Sequence, residues 1–359
     1  MFDIETNIAT DLVEFFYFKN TTQFENQQGQ IFAKPKSIHD FFEVFPEHYD
    51  KHSLQITAIC HQLVSLGLLV KVDSNKKIYS PFNEHFLAPK FSRKEADYGV
   101  YNFALTGFPG IYKRFNSAVR PVFVIKSNGD DDTGSGFLVK KRYFVTAKHC
   151  IEKMQKVTIP GWNPQNTPLQ SIWVSPESNL DLAILEFKKK PFRGVTGFEL
   201  HSPQILDEVL TMGYPYIPGF ESFLIVETAR IASLKSSVGQ IVGQKESYLG
   251  KQNYFLISAR VKGGNSGSPV IGRDGKVRGV VVHVLHNQGK LDELGYGVAL
   301  PANHSFFRWL DRYDYLPADK MAEKQKGWSV HTEDKKSVSF TDLKCPLKFV
   351  QTSEGFSTL

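Results

Sequence analysis

A serine flanked by glycines stands at the centre of the stretch Gly263-Gly264-Asn265-Ser266-Gly267-Ser268-Pro269. Glycine lets the backbone take tight turns that a side chain would block. Such a turn can direct the Ser266 hydroxyl outward while the N–H groups of Gly264 and Ser266 converge on one point, as the donors of an oxyanion hole do. A plain Gly/Ser hairpin loop would explain this stretch if it stood alone, so its interpretation depends on the rest of the chain.

A histidine and an aspartate upstream supply the groups that an activated serine needs. His149 follows an apolar strand pattern that begins at Tyr143, and Asp181 directly precedes the apolar run 182–187. Taken singly, His149 could be a surface residue and Asp181 a strand-start residue. A partly buried carboxylate needs a hydrogen-bond donor, and an imidazole N–H in that role would also fix the tautomer of the histidine. Serine requires an adjacent, oriented base, so the order His149, Asp181, Ser266 predicts a catalytic triad.

The sequences around these three residues resemble the trypsin-like peptidase family, and in particular its HtrA (Deg-type) branch. The histidine motif is Thr146-Ala-Lys-His149, the aspartate strand is Asp181-Leu-Ala-Ile-Leu, and the nucleophile loop is Gly264-Asn-Ser-Gly-Ser-Pro269. Further matches in the same order are Gly134-Ser-Gly-Phe-Leu-Val139, Gly213-Tyr-Pro215, Gly275-Lys-Val-Arg-Gly279 and Gly295-Tyr-Gly-Val-Ala-Leu-Pro301. The motifs all lie within residues 121–311, a region with the many short strand patterns of an all-β domain.

This resemblance implies a mainly β fold, a chymotrypsin-like pair of six-stranded β-barrels over residues 121–311. Within it, Ser266 is expected to be the nucleophile, His149 the base and Asp181 its orienter, with the N–H groups of Gly264 and Ser266 forming the oxyanion hole. The expected substrate is a protein or peptide, and no cofactor or metal is expected.

Specificity and activation are also predicted from the resemblance. Arg260 and His283 are expected to line the substrate pocket, where a cation would favour an acidic residue before the cleaved bond. An outward-pointing Arg260 is the alternative. Asn265 replaces the aspartate that pairs with a newly cut N-terminus in trypsins, so we expect control by loop ordering or a partner. Thr133 stands where the disulfide partner of Cys150 would be, which predicts a free, buried Cys150 thiol.

Three further segments flank the expected protease domain. Residues 1–90 follow a helix, helix, helix, hairpin order that resembles a winged-helix domain. Residues 91–120 are predicted to be a helical connector. Residues 312–359 are predicted to be a C-terminal extension that is too short for a PDZ domain. The segment Ser53–Leu69 has no Lys or Arg, and residues 1–90 carry 8 Lys/Arg against 11 Asp/Glu. This composition favours binding of a regulatory protein partner over binding of DNA.

The overall composition predicts a soluble protein of the cytoplasm. The net charge is +6, the three cysteines are far apart, and no run reaches the roughly eighteen apolar residues of a membrane span. The N-terminus is acidic where a secretory signal would be basic, and the odd cysteine count predicts no disulfide framework. We therefore expect no membrane association and a reducing compartment.

Three functions are compatible with these features. The first is an intracellular serine endopeptidase whose N-terminal domain recruits or regulates. The second is a transcriptional regulator with a protease-like domain that senses or cleaves itself, which binding to duplex DNA would distinguish. The third is a catalytically silent scaffold, against which the complete set His149, Asp181, Ser266 and Gly264 argues.

Overall fold

The computed structural model describes residues 7–72, 80–174, 180–215, 233–246, 253–282, 295–303, 307, 329–331, 337–339 and 347–358. The chain divides into two compact units, Met1–Ile111 and Tyr112–Leu359. This division lies inside the segment expected to be a connector, and the domain limits at residues 90 and 120 stay predictions.

The first unit is mainly helical with short strands. Its elements in chain order are α1 (Ile8–Phe15), β1 (Gln23–Glu25), β2 (Ile31–Ala33), β3 (Lys36–Ser37), α2 (Ile38–Val44), α3 (Glu47–Ser65), β4 (Val70–Val72), β5 (His85–Leu87), α4 (Arg93–Tyr98) and most of α5 (Val100–Phe115), the end of which belongs to the second unit. Strands β3, β5 and β4 form one sheet, and β1 and β2 form a separate hairpin. An apolar core that includes Phe16, Phe41 and Phe86 lies among these elements.

Local sequence explains where these helices begin and end. Ser37 caps α2 in a capping box with Asp40, as the Ser-x-x-Asp pattern favours. Helix α3 begins after Pro46, and it ends at Ser65 before Gly67, which has a φ of 70°. The second strand of the predicted hairpin, at residues 78–79, lies outside the described residues. Strand β4 pairs with β5.

The regular secondary structure described in the second unit consists mainly of β-strands. In chain order these are β6 (Val119–Lys126), β7 (Asp131–Val139), β8 (Tyr143–Thr146), β9 (Met154–Thr158), β10 (Leu169–Val174), β11 (Ala183–Phe187), β12 (Glu208–Gly213), β13 (Lys235–Glu246), β14 (Asn253–Ile257), β15 (Pro269–Gly272), β16 (Val277–Val281), β17 (Gly297–Pro301), β18 (Ser329–His331), β19 (Ser337–Ser339), β20 (Phe349–Gln351) and β21 (Phe356–Thr358).

Apart from β18 and β19, which pair in a separate two-stranded sheet, these strands form two antiparallel barrels, which confirms the predicted chymotrypsin-like architecture. The second barrel is closed and has the order β12-β13-β14-β17-β16-β15, so it has the six strands expected. The first sheet has the order β10-β11-β8-β7-β6-β9-β21-β20. It therefore contains eight strands rather than six, because a hairpin from residues 349–358 is added beside β9.

The strongest strand signals came from apolar runs that are buried in the barrels. All four residues of β8 and all five of β11 are buried, and both strands were predicted. In the second unit, the strands missed from the sequence were β9, β10, β13, β17, β18, β20 and β21. In β13, for example, exposed and half-buried positions alternate and two glycines interrupt the pattern, so a period-two apolar signal is weak. Within the described ranges, no helix has both the length and the apolar composition needed to cross a bilayer.

Candidate active site

His149 stands at the end of a buried strand. Strand β8 leads through Ala147 into a 3-10 turn, Lys148–Cys150, which carries the histidine. The Thr146 hydroxyl at the end of the strand donates to the carbonyl of Ser135 on β7 at 2.8 Å. The strand is thus anchored to its neighbour just before the histidine, while the imidazole itself is 46% exposed and accessible to a substrate.

Asp181 holds His149 at two points. The backbone N–H of His149 donates to Asp181 Oδ1 at 3.0 Å, and the ring nitrogen Nδ1 lies 2.7 Å from Asp181 Oδ2. This contact follows from sheet register, because Ala183 on β11 pairs with Thr146 on β8. His149 follows the end of β8 and Asp181 precedes the start of β11, so the antiparallel pairing brings both residues to the same end of this strand pair.

The surroundings of the imidazole favour its protonated form. Partial burial lowers the pKa of His149, but the hydrogen bonds with Asp181 and Cys150 outweigh burial and raise the pKa above the ordinary value of 6.5. A carboxylate that stabilises the imidazolium is what a base needs when it accepts a proton from a hydroxyl.

The nucleophile loop requires glycine at two positions. Gly264 has a φ of 92° and Gly267 a φ of 87°, both in the left-handed region. A Cβ on Gly264 would lie 2.5 Å from the carbonyl oxygen of Tyr214, and one on Gly267 would collide with the carbonyl oxygen of Ser135. The loop conformation is therefore specific to the Gly-Asn-Ser-Gly sequence around Ser266.

Two amides of this loop are available to a ligand. Within the described part of the chain, neither the Gly264 N–H nor the Ser266 N–H donates a hydrogen bond to another protein group. The neighbouring amides are occupied: Asn265 N–H donates to the carbonyl of Lys262, and Gly267 N–H to that of Val281. This pattern suits the predicted oxyanion hole, which stays a prediction.

Ser135 is a site residue that the sequence reasoning did not single out. It is fully buried, its N–H donates to the carbonyl of Ser266 at 2.8 Å, and its hydroxyl donates to the carbonyl of Gly264 at 2.7 Å. The same hydroxyl accepts from the N–H of Tyr214 at 2.9 Å. The signal that could have identified it is its place between two glycines in the motif that begins at Gly134.

Cys150 connects the histidine turn to the nucleophile loop. Its thiol lies 3.6 Å from His149 Nε2 and 3.8 Å from the carbonyl oxygen of Ser266. The thiol is free and buried, as predicted. Gly134 makes room for it, because a Cβ at that position would lie 2.5 Å from the sulfur. The structure thus brings the segments of His149, Asp181 and Ser266 to one place.

Arg260 and His283 are the two residues predicted to line the substrate pocket. Arg260 is exposed, and its backbone N–H donates to the Ser237 hydroxyl at 2.9 Å. His283 lies outside the described residues. The role of both residues in specificity therefore stays a prediction. The described residues contain no group of three or more His, Cys, Asp or Glu side chains suited to a metal ion.

Comparisons with known proteins are consistent with this geometry. Residues 134–280 match the family model of a trypsin-like peptidase domain, and this span includes all three predicted triad residues. A probable periplasmic serine endoprotease, DegP-like, of Chlamydia pneumoniae is 25% identical over 171 residues, which cover 47% of this chain and 32% of the relative. The serine endoprotease DegS of Salmonella typhimurium is 25% identical over 252 residues, 67% of this chain and 63% of the relative.

Among solved structures, a protease of M. tuberculosis in its active form aligns with a TM-score of 0.41 and 20% identity over 54% of this chain and 79% of that chain. The chain spans less than two thirds of the length of these two curated relatives. The motifs, the pair of barrels and the family match together identify residues 134–280 as a trypsin-like peptidase domain, similar in sequence to serine endoproteases of the HtrA type.

Proposed function

We propose that the protein is a serine endopeptidase that cleaves peptide bonds of protein or peptide substrates through an acyl-enzyme on Ser266. The observation that carries this proposal is the two-point contact of Asp181 with His149, beside a nucleophile loop in which the amides of Gly264 and Ser266 have no acceptor among the described residues. A scaffold without activity has no physical need for an oriented base and two free donors in one place.

In the proposed reaction, Ser266 Oγ attacks the substrate carbonyl as its proton passes to His149 Nε2. Asp181 stabilises the resulting imidazolium. The N–H groups of Gly264 and Ser266 bind the negative oxygen of the tetrahedral intermediate. Each such donor is worth about 3–4 kcal/mol of transition-state stabilisation.

Collapse of the intermediate breaks the C–N bond, and the imidazolium of His149 gives its proton to the leaving amine. Water then attacks the acyl-enzyme and transfers a proton to His149, which returns it to Ser266 Oγ as the acid product leaves. The cycle regenerates the neutral histidine and the free hydroxyl.

The first unit would recruit a protein partner or regulate the protease. Three features support this part of the proposal: the net acidic composition of residues 1–90, the absence of Lys and Arg from Ser53–Leu69, and the resemblance of the segment to a winged-helix domain. We place the protein in the cytoplasm, because Cys60 and Cys150 are free thiols and a reducing compartment preserves them.

A fluorophosphonate probe, which acylates activated serines, tests the proposal on the full chain. We expect stoichiometric labelling that peptide mapping assigns to Ser266, and none in Ser266→Ala. Ser65→Ala, which removes an exposed serine of the first unit, is the matched control and should label like the wild type. A folded wild type that neither labels nor cleaves an unfolded protein such as casein would refute the proposal.

A fluorescence anisotropy titration with duplex DNA separates the protease from the transcriptional regulator. We expect no saturable binding at about 50 mM salt, where phosphate contacts are strong. Tight binding whose affinity falls steeply with added salt would favour the regulator.

A further inference from the structure

The backbone turns sharply just after the segment that carries His149. Within residues Ile151–Met154, Lys153 takes a φ of 56°, which is uncommon for a residue other than glycine. Such a conformation persists only where the surrounding structure holds it. Because this turn continues directly from the 3-10 turn Lys148–Cys150, its position bears on that of the imidazole.

One hydroxyl from a distant part of the chain holds both ends of this turn. The N–H of Met154 donates to Thr358 Oγ1 at 3.0 Å, and the Thr358 hydroxyl donates to the carbonyl of Ile151 at 2.6 Å. Thr358 is 5% exposed, so water does not readily replace it. A buried donor or acceptor that loses its partner is destabilised by its full desolvation cost. The turn therefore depends on this hydroxyl.

The hairpin of β20 and β21 sets the position of Thr358. Phe356 on β21 pairs with Val157 on β9, and its ring is fully buried 6.1 Å from that of Trp162. Gly355 allows this approach, because a Cβ there would collide with the carbonyl oxygen of Val157. The hairpin is thus packed as part of the first barrel.

A second contact fixes the other strand of the hairpin. The side chain of Gln351 on β20 accepts from the N–H of Leu169 at 2.8 Å and donates to the carbonyl of Pro164 at 3.0 Å. Leu169 begins β10, which stands at the opposite end of the sheet order from β20. The hairpin therefore spans the opening between β9 and β10 and nearly closes the barrel.

From these contacts we propose that Thr358 is a positioning residue for His149. Its hydroxyl fixes the turn Ile151–Met154, and through that turn it fixes the C-terminal side of the histidine segment, while Asp181 fixes the imidazole. The kinetic part of this inference rests on the proposed protease function. A base displaced by a fraction of an ångström transfers its proton poorly, whereas substrate binding elsewhere in the cleft is unaffected.

The test compares three variants of the full chain. Thr358→Val keeps the shape of the side chain and removes the hydroxyl, and we expect kcat to fall roughly ten- to hundredfold with KM within about twofold of the wild type. Thr358→Ser keeps the hydroxyl and should restore most of kcat. Ser357→Ala is the matched control, because its hydroxyl donates to the carbonyl of Val350 within the hairpin rather than to the turn Ile151–Met154.

A second readout does not depend on activity. In protein labelled with ¹³C and ¹⁵N at histidine, the ring resonances and titration of His149 should change in Thr358→Val and stay the same in Ser357→Ala. If the wild type fails to react with the fluorophosphonate, the protease proposal fails, yet these resonances still test the positioning role. An unchanged His149 signal together with an unchanged kcat in folded Thr358→Val would overturn the positioning role. A fall in kcat in Thr358→Ser as large as that in Thr358→Val would overturn it as well.

Measurement of amide hydrogen exchange in the wild type tests the proposal even if Thr358→Val does not fold. In the wild type the Met154 amide should exchange slowly with solvent deuterium, because its acceptor is a buried hydroxyl. Exchange at the rate of an unprotected amide would overturn the proposal without any variant.

Discussion

Ser135 and Gly264 are 129 residues apart in the sequence, yet the Ser135 hydroxyl donates to the Gly264 carbonyl at 2.7 Å. Ser135 belongs to β7 of the first barrel, whereas Gly264 lies between β14 and β15 of the second. The same hydroxyl accepts from the N–H of Tyr214, which follows β12. One buried side chain thus links the two barrels at the loop that presents Ser266, and it orients the peptide that includes the Gly264 carbonyl.

Replacing Ser135 with alanine should disorder this loop. The change removes the partners of the Gly264 carbonyl and the Tyr214 amide, and we expect kcat/KM on a peptide substrate to fall about ten- to hundredfold. Steady-state kinetics measure this. Ser258→Ala is the control, because that exposed hydroxyl also accepts one backbone N–H, from Gln240 of β13 in the second barrel. Equal activity of the two variants would show that the link between the barrels is dispensable.

Replacing Asp181 with asparagine should slow the enzyme and move its pH profile. Loss of the oriented carboxylate should reduce kcat by about 10³- to 10⁴-fold. Activity requires neutral His149, so the acid limb of the wild-type profile should follow the raised pKa of His149 and lie above pH 6.5. Without the negative charge that raises this pKa, the imidazole deprotonates at lower pH.

We therefore expect the acid limb of the Asp181→Asn profile to shift to lower pH. Residual kcat/KM measured between about pH 5 and 9 tests this, in the range where histidine titrates. An acid limb that stays at the same pH or moves to higher pH would contradict the assignment of His149 as the base.

Two adjacent glycines offer a matched test of the oxyanion loop. In Gly264→Ala the new Cβ would lie 2.5 Å from the Tyr214 carbonyl oxygen, at a φ of 92° that alanine rarely adopts. The loop must then change shape, and loss of one donor should reduce kcat about 10²- to 10³-fold. In Gly263→Ala the new methyl group meets no atom of a non-neighbouring described residue within 4 Å, so near-normal kcat is expected. The reverse order of activities would rule out the loop geometry described above.

Removing the Phe356 ring should destabilise the first barrel. The side chain is fully buried, and such a Phe→Ala change costs about 3–5 kcal/mol in the free energy of unfolding. Urea denaturation followed by circular dichroism measures the loss. Val350→Ala, at a position 53% exposed on the same hairpin, should change the stability by less than about 0.5 kcal/mol. Similar stabilities for both variants would mean that the hairpin is not packed on β9.

The chemistry of the site could be predicted from the sequence because it is encoded in local motifs. The glycines at 264 and 267 are required by backbone sterics within a single loop, and the buried strands β8 and β11 appear as uninterrupted apolar runs. The free, buried state of Cys150 was also predicted, from the residue found at position 133. Strands with exposed alternate positions, such as β13, gave no comparable signal.

By itself, the sequence determined which groups are available for catalysis and in what order, because their residue types and neighbouring backbone requirements are local. Only the tertiary structure decided that Ser135 joins the two barrels and that Thr358 supports the turn after His149. Those contacts join residues 129 to 207 positions apart through single hydroxyl groups. The sequence around a serine or threonine does not indicate such a partner. The distance between the hydroxyl and its partner depends on the register of the barrel strands and on the packing of the hairpin on β9.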